Sequence, residues 1–136
     1  DVAAITTIIV PDAAGTPVNH TFAPAKVDGD TATWLEKSNT SSLGYWTLSI
    51  TQRAPLAGQT SKVYRTKLSF QKPTVVNEVI NGVTRPSIAY VNGATVEFVL
   101  PADASLQERK DHRKLLVGIL NDASFIDLVE NQNNAY

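Results

Sequence analysis

The chain has 136 residues and a mass of 14.7 kDa, enough for one domain, and its 43% hydrophobic and 18% charged composition excludes a disordered or collagen-like chain. The absence of cysteine excludes disulfide scaffolds, thiolate metal sites and thiol chemistry; with no membrane-length apolar run and no signal-peptide pattern, it predicts a soluble, non-secreted chain in a reducing compartment, and the lack of Met predicts a processed or trimmed start. The net charge of −1 conceals a segregation, because Lys37, Arg53, Lys62, Arg65, Lys67 and Lys72 lie between positions 37 and 77 without one acidic residue, whereas the remainder is acidic.

From Ala3 to Val10 a β-branched run reads as a strand, Pro11 to Gly15 as a turn, and Val18 to Ala23 as the returning strand of a hairpin. After Asp28-Gly29-Asp30, a short strand spans Thr31 to Lys37 around Trp34, and Ser38 to Ser42 is a polar loop. Two longer strands follow. Trp46, Leu48 and Ile50 alternate with Thr47, Ser49 and Thr51 in Tyr45 to Arg53; Thr66, Leu68 and Phe70 alternate with Arg65, Lys67 and Ser69 in Val63 to Gln71. Each gives one face to a core and one to water.

Pro73 to Pro86, bounded by prolines and containing Asn81-Gly82, has the composition of an exposed loop. A last strand runs from about Ser87 to Leu100, within which Asn92-Gly93 fits either a two-residue hairpin turn or a continuous, kinked strand. At Pro101 the period becomes helical. Ser105 with Glu108 fits a capping box, Asp103 favours the same end, and a helix should run to about Leu120; Ser124 can cap a second helix carrying Phe125, Ile126, Leu128 and Val129. The pattern is α+β: an antiparallel meander, then two C-terminal helices. Leu115 to Leu120 is apolar around nearly the whole helix, and two helices are too few to cover five or more strands, so a second copy is expected to complete the core as an obligate dimer.

Catalytic chemistry has little to work with. His20, beside a strand turn, and His112, in the charged half-helix, stand in no zinc spacing or triad and read as solvated; the glycines match no phosphate or dinucleotide loop. A hydrolase using Glu97 with His20 or His112 lacks an orienting constellation, so no catalytic residue, metal or cofactor is expected. What remains is the polar face of the two middle strands. Thr47, Ser49 and Thr51 beside Arg65, Lys67 and Ser69 put hydroxyls and cations on one surface, which suits single-stranded RNA laid on a sheet; the alternative is an inert exposed sheet, for which threonine is simply good strand chemistry.

The order of parts resembles the coat proteins of the single-stranded RNA bacteriophages, the leviviruses, over essentially the whole chain. The resemblance is carried by Trp34 with Thr47-Leu48-Ser49, by Tyr64 through Lys67 to Pro73-Thr74, by Gly82-Val83 to Pro86, by Glu108-Arg109 and by Ala135-Tyr136. It implies an interlocked dimer with a continuous ten-stranded sheet covered by the partner's helices, dimers closing into an icosahedral shell around the genome, and a virion location after assembly in the bacterial host cytoplasm. No membrane partner is implied. In such a shell the hairpin lies outside, the segment matching Pro73 to Pro86 makes contacts around symmetry axes, and the inner sheet face binds RNA.

Thr31, Thr47, Ser49, Arg65 and Lys67 match positions that line adenine pockets in the family, with Arg65 replacing a smaller residue. A gapless count from Pro86 to Pro101 places Gly93 where the family often has a base-stacking tyrosine and Thr95 at the acceptor two residues on; it also favours the continuous strand. Coat dimers of the family commonly repress replicase translation through an operator hairpin, and here the stacking ring is missing. One domain over 1–136 is expected, with hairpin 1–24, main sheet 31–100 and helices 103–136. The alternative function is a dimeric RNA-binding regulator that forms no shell.

Overall fold

The structure is a computed structural model describing residues 4–58 and 62–134. The chain divides into two units, Asp1–Val99 with the strands and Leu100–Tyr136 with the helices. In the first, β1 (Ile8–Pro11), β2 (Asn19–Asp28), β3 (Thr31–Glu36), β4 (Trp46–Arg53), β5 (Val63–Ile80) and β6 (Val83–Pro101) form one sheet in chain order. Each pair from β1 to β5 is antiparallel.

The register sorts side chains onto two faces. Trp34 stands opposite Leu48 and Leu48 opposite Phe70, with Ala32, Ile50 and Leu68 in the next row. These even-numbered residues form the core: Phe22, Trp34 and Leu48 are buried, and Ile5, Ile8, Trp46 and Phe70 pack against them. Phe70 meets Phe22 edge-on with ring centroids 5.8 Å apart, the geometry that sets a ring's positive edge against a π face. Trp34 is 6% exposed, and its indole Nε1–H donates to the Thr6 carbonyl at 2.8 Å, so the segment before β1 is fastened over this face.

Several boundaries differ from the sequence reading. Strand β1 is shorter than Ala3 to Val10: Ala4 to Thr7 is not strand, and Ala3 lies outside the described residues. Strand β2 continues through Pro24 to Asp28, absorbing the proline with a register shift between Pro24 and Lys26. The stretch Pro73 to Pro86 is not a loop. It is the distal half of a long hairpin formed by β5 and β6, turning at Asn81-Gly82. Both turn residues have positive φ, 51° and 78°, as a two-residue hairpin turn of this hand requires. Asn92-Gly93 lies within continuous β6, as the gapless count favours.

In the second unit α1 spans Leu106–Leu120 and α2 spans Ala123–Glu130. Ser105 caps α1, its hydroxyl accepting from the Glu108 N–H at 3.2 Å. The cap of α2 is Asp122, two residues before Ser124: the Asp122 carboxylate accepts the Ser124 N–H at 3.0 Å. Neither helix buries a residue, and Leu115 and Ile119 are 65% and 57% exposed. No described helix is long and apolar enough to cross a membrane.

Candidate nucleic-acid interface

The face opposite the core is built from the odd-numbered residues of β3, β4 and β5. Cross-strand rows run Thr31, Thr51, Lys67; then Thr33, Ser49, Ser69; then Leu35, Thr47, Gln71; Arg53 stands opposite Arg65. The alternation expected for Thr47, Ser49 and Thr51 against Arg65, Lys67 and Ser69 is therefore present, and Thr31 joins them, its hydroxyl 3.0 Å from that of Thr51. Ser49, Thr51, Arg53, Arg65, Lys67, Ser69 and Glu97 line a shallow pocket of about 340 Å³. Thr47 lies on the same face, two residues along β4 from Ser49, outside the pocket lining. Thr95 is exposed, two residues before Glu97 on β6 and hence on the same side of that strand, and it too is outside the lining.

Two lining residues, Arg53 and Glu97, were not singled out for this face by sequence. Arg53 was legible, because it shares parity with Thr51 on β4. Lys26 widens the basic surface beyond the pocket: the register places it opposite Thr33 on this face, after the β2 irregularity. Glu97 reaches the pocket from β6, where no local signal points to it, and its Oε1 accepts from the Arg65 guanidinium at 2.9 Å. Both side chains remain well solvated, 57% exposed for Arg65 and 41% for Glu97. The lining thus carries three cations, three hydroxyls and one carboxylate. Among the described residues Lys67 makes no ion pair, so its charge is fully available to an anion, whereas that of Arg65 is shared. Hydrogen-bond donors and cations of this kind suit phosphate and sugar contacts, and hydroxyls suit base edges.

His20 overturns its expected solvated role. Its ring lies over Trp46 with centroids 4.7 Å apart, and its side chain is only 19% exposed, with Nε2 2.9 Å from Asp12 Oδ2 and Nδ1 3.8 Å from Glu36 Oε2. Glu36 is buried and accepts from the Ser38 N–H at 2.7 Å and the Ser38 hydroxyl at 2.9 Å. Asp12 accepts from the Val18 and Ala14 N–H groups. The Val18 bond, the His20 contact and the Ala14 bond together hold the Asp12 carboxyl at about 2, below its ordinary 3.8. This cluster ties the β1–β2 turn to the sheet. Among the described residues no group of three or more His, Cys, Asp or Glu side chains is placed to hold a metal ion.

Comparison with known proteins covers nearly the whole chain. The family model for levivirus coat protein matches residues 3–136. The capsid protein of Pseudomonas phage PRR1 is 25% identical over 122 residues, 90% of this chain and 86% of that protein. The solved virus-like particle of bacteriophage ESE058 superposes with a TM-score of 0.92 at 33% identity, over 98% of this chain and 100% of that one. That of bacteriophage NT-214 gives 0.84 at 25% identity over 98% and 100%.

Proposed function

The chain belongs to the levivirus coat protein family, and from that premise we propose that its subunits interlock as dimers with a continuous ten-stranded sheet built from β2 to β6 of each copy, the β1–β2 hairpin ladder standing apart, close into an icosahedral shell, and bind single-stranded genomic RNA on the polar sheet face. As a member of that family it is a structural capsid protein of a virion and not an enzyme. The observation that carries the dimer is β6. It ends the sheet order as a 19-residue strand, and a long open edge is a template for another strand. Between Arg85 and Glu97, its stretch from Ile88 to Val96 has no charged residue to repel a second copy. The helices support the same reading: α1 and α2 enclose a groove of about 910 Å³ whose walls include Leu115, Ile119, Phe125 and Leu128, an apolar surface that water penalises until something covers it.

On the RNA side, Thr31, Thr47, Ser49, Thr51, Ser69 and Thr95 supply hydroxyls while Arg65 and Lys67 supply charge. Packaging of the genome inside the shell follows from a face that binds by charge and hydrogen bonding without demanding one sequence. Repression through an RNA hairpin is a second role of this face. Gly93 in β6 offers no ring at the position where the family often stacks a base, so a complex that relies on that position is weaker than a stacked one by about 1–3 kcal/mol.

Expression of the chain alone in bacteria, native purification, light scattering and negative-stain electron microscopy test the proposal. Uniform spherical particles containing host RNA, dissociating to dimers, are expected. Dimers that form no particles across a range of salt and concentration would instead indicate an RNA-binding regulator, and a stable folded monomer would overturn the dimer.

A further inference from the structure

The inference rests on the RNA-binding reading of the polar sheet face and concerns what its pocket selects. Every polar wall group there is a cation or a hydroxyl except Glu97. One carboxylate oxygen, Oε1, takes the Arg65 N–H at 2.9 Å. The other, Oε2, has no hydrogen-bond partner among the described residues, and the side chain is 41% exposed. An ionised carboxylate is acceptor-only, so the wall presents one fixed anionic acceptor beside the donors of Arg53, Arg65 and Lys67.

Phosphate gains nothing from such an acceptor, which repels it. A nucleobase edge does gain, provided it carries an amino group. Cytosine and uracil have the same ring and differ at this edge: cytosine offers its N4 amino donor, uracil a carbonyl oxygen that would face the carboxylate acceptor to acceptor. Arg65 restrains the orientation of Glu97 by occupying Oε1, which leaves Oε2 for the base. We propose that Glu97, positioned by Arg65, makes this pocket select RNA bases presenting an exocyclic amine over uracil.

Fluorescence anisotropy of the full chain, kept below its assembly concentration, with labelled oligocytidine and oligouridine of about eight nucleotides tests this. The unsubstituted chain should bind oligocytidine about tenfold more tightly, an effect of one charge-assisted hydrogen bond. In Glu97→Gln the amide accepts or donates equally well and a negative charge is gone. Both oligonucleotides should then bind more tightly at low salt while the preference falls below about threefold. Arg65→Lys, which keeps the charge and loses the planar fork, should reduce the preference without the general gain. Equal binding of the two oligonucleotides by the unsubstituted chain, or an undiminished preference in Glu97→Gln, would overturn the selectivity and leave the RNA face standing. Failure of the unsubstituted chain to bind either would overturn the RNA face itself.

Discussion

If Lys67 neutralises phosphate and Arg65 is held by Glu97, removing each should have different consequences for the salt dependence of RNA binding. For single strands each neutralised phosphate contributes about 0.7 to the slope of log K against log salt. Lys67, with no ion pair among the described residues, counts fully, so Lys67→Ala should lower the slope by about 0.7. Across a fourfold rise in salt that is a difference of about 2.6-fold in how far the affinity falls. The double variant Arg65→Ala/Glu97→Ala removes the 2.9 Å pair without changing net charge, and should leave the slope where it was. Because both partners are well solvated, deleting the pair should cost little stability. Titration of a labelled oligoribonucleotide by anisotropy between about 50 and 200 mM salt gives the slopes directly. A double variant whose slope drops as far as that of Lys67→Ala would show that Arg65 leaves Glu97 to neutralise phosphate, and the assignment of the two cations would fail.

Four further outcomes are expected. Trp34→Phe removes the donor to the Thr6 carbonyl and should cost about 1–3 kcal/mol in chemical denaturation; a cost within error would mean that this bond does not fasten the N-terminal segment. Asp12, held at about 2 against an ordinary 3.8, stabilises the folded state above about pH 4, and that contribution is lost as pH falls from there towards 2; Asp12→Asn should flatten the thermal midpoint over this window, and an unchanged profile would remove the turn from the acid response. Gly82 has φ 78°, so Gly82→Ala should destabilise the hairpin tip by about 1–2 kcal/mol, seen as faster hydrogen exchange in residues 76–88. Leu115→Lys, at a position 65% exposed in one copy, should shift light scattering from dimer towards monomer or aggregate; unaltered dimers would exclude α1 from the interface.

Much of this was legible in the chain because its strands alternate strictly. Reading Trp46, Leu48 and Ile50 against Thr47, Ser49 and Thr51 already separates the core face from the polar face, and Ser105 marks the start of α1 within one residue. The failures have physical causes. Pro73 and Pro86 resemble loop punctuation, but both are accommodated within long strands, and the Asn81-Gly82 turn between them is ordinary hairpin chemistry hidden in a proline-rich setting. Glu97 was missed because its partner is set by register. Its contact with Arg65 joins residues 32 apart in the chain, which local composition does not announce. His20 was misjudged because its neighbours Asp12, Glu36 and Trp46 come together only through the folded hairpin.

The open edge of β6 also sets a clock during synthesis. When Pro101 has been made, both helices are still to come, and the 29 residues to the end of α2 at Glu130 take roughly 1.5–6 s of translation at common rates. For that interval a sticky strand exists before its own helices do. Capture by a sister chain is second order in concentration, while misaligned pairing with any passing strand competes with it. Neighbouring ribosomes on one message deliver identical edges close together, so on the dimer reading the yield of correctly paired subunits depends on how densely that message is loaded, and sparse translation favours misassembly.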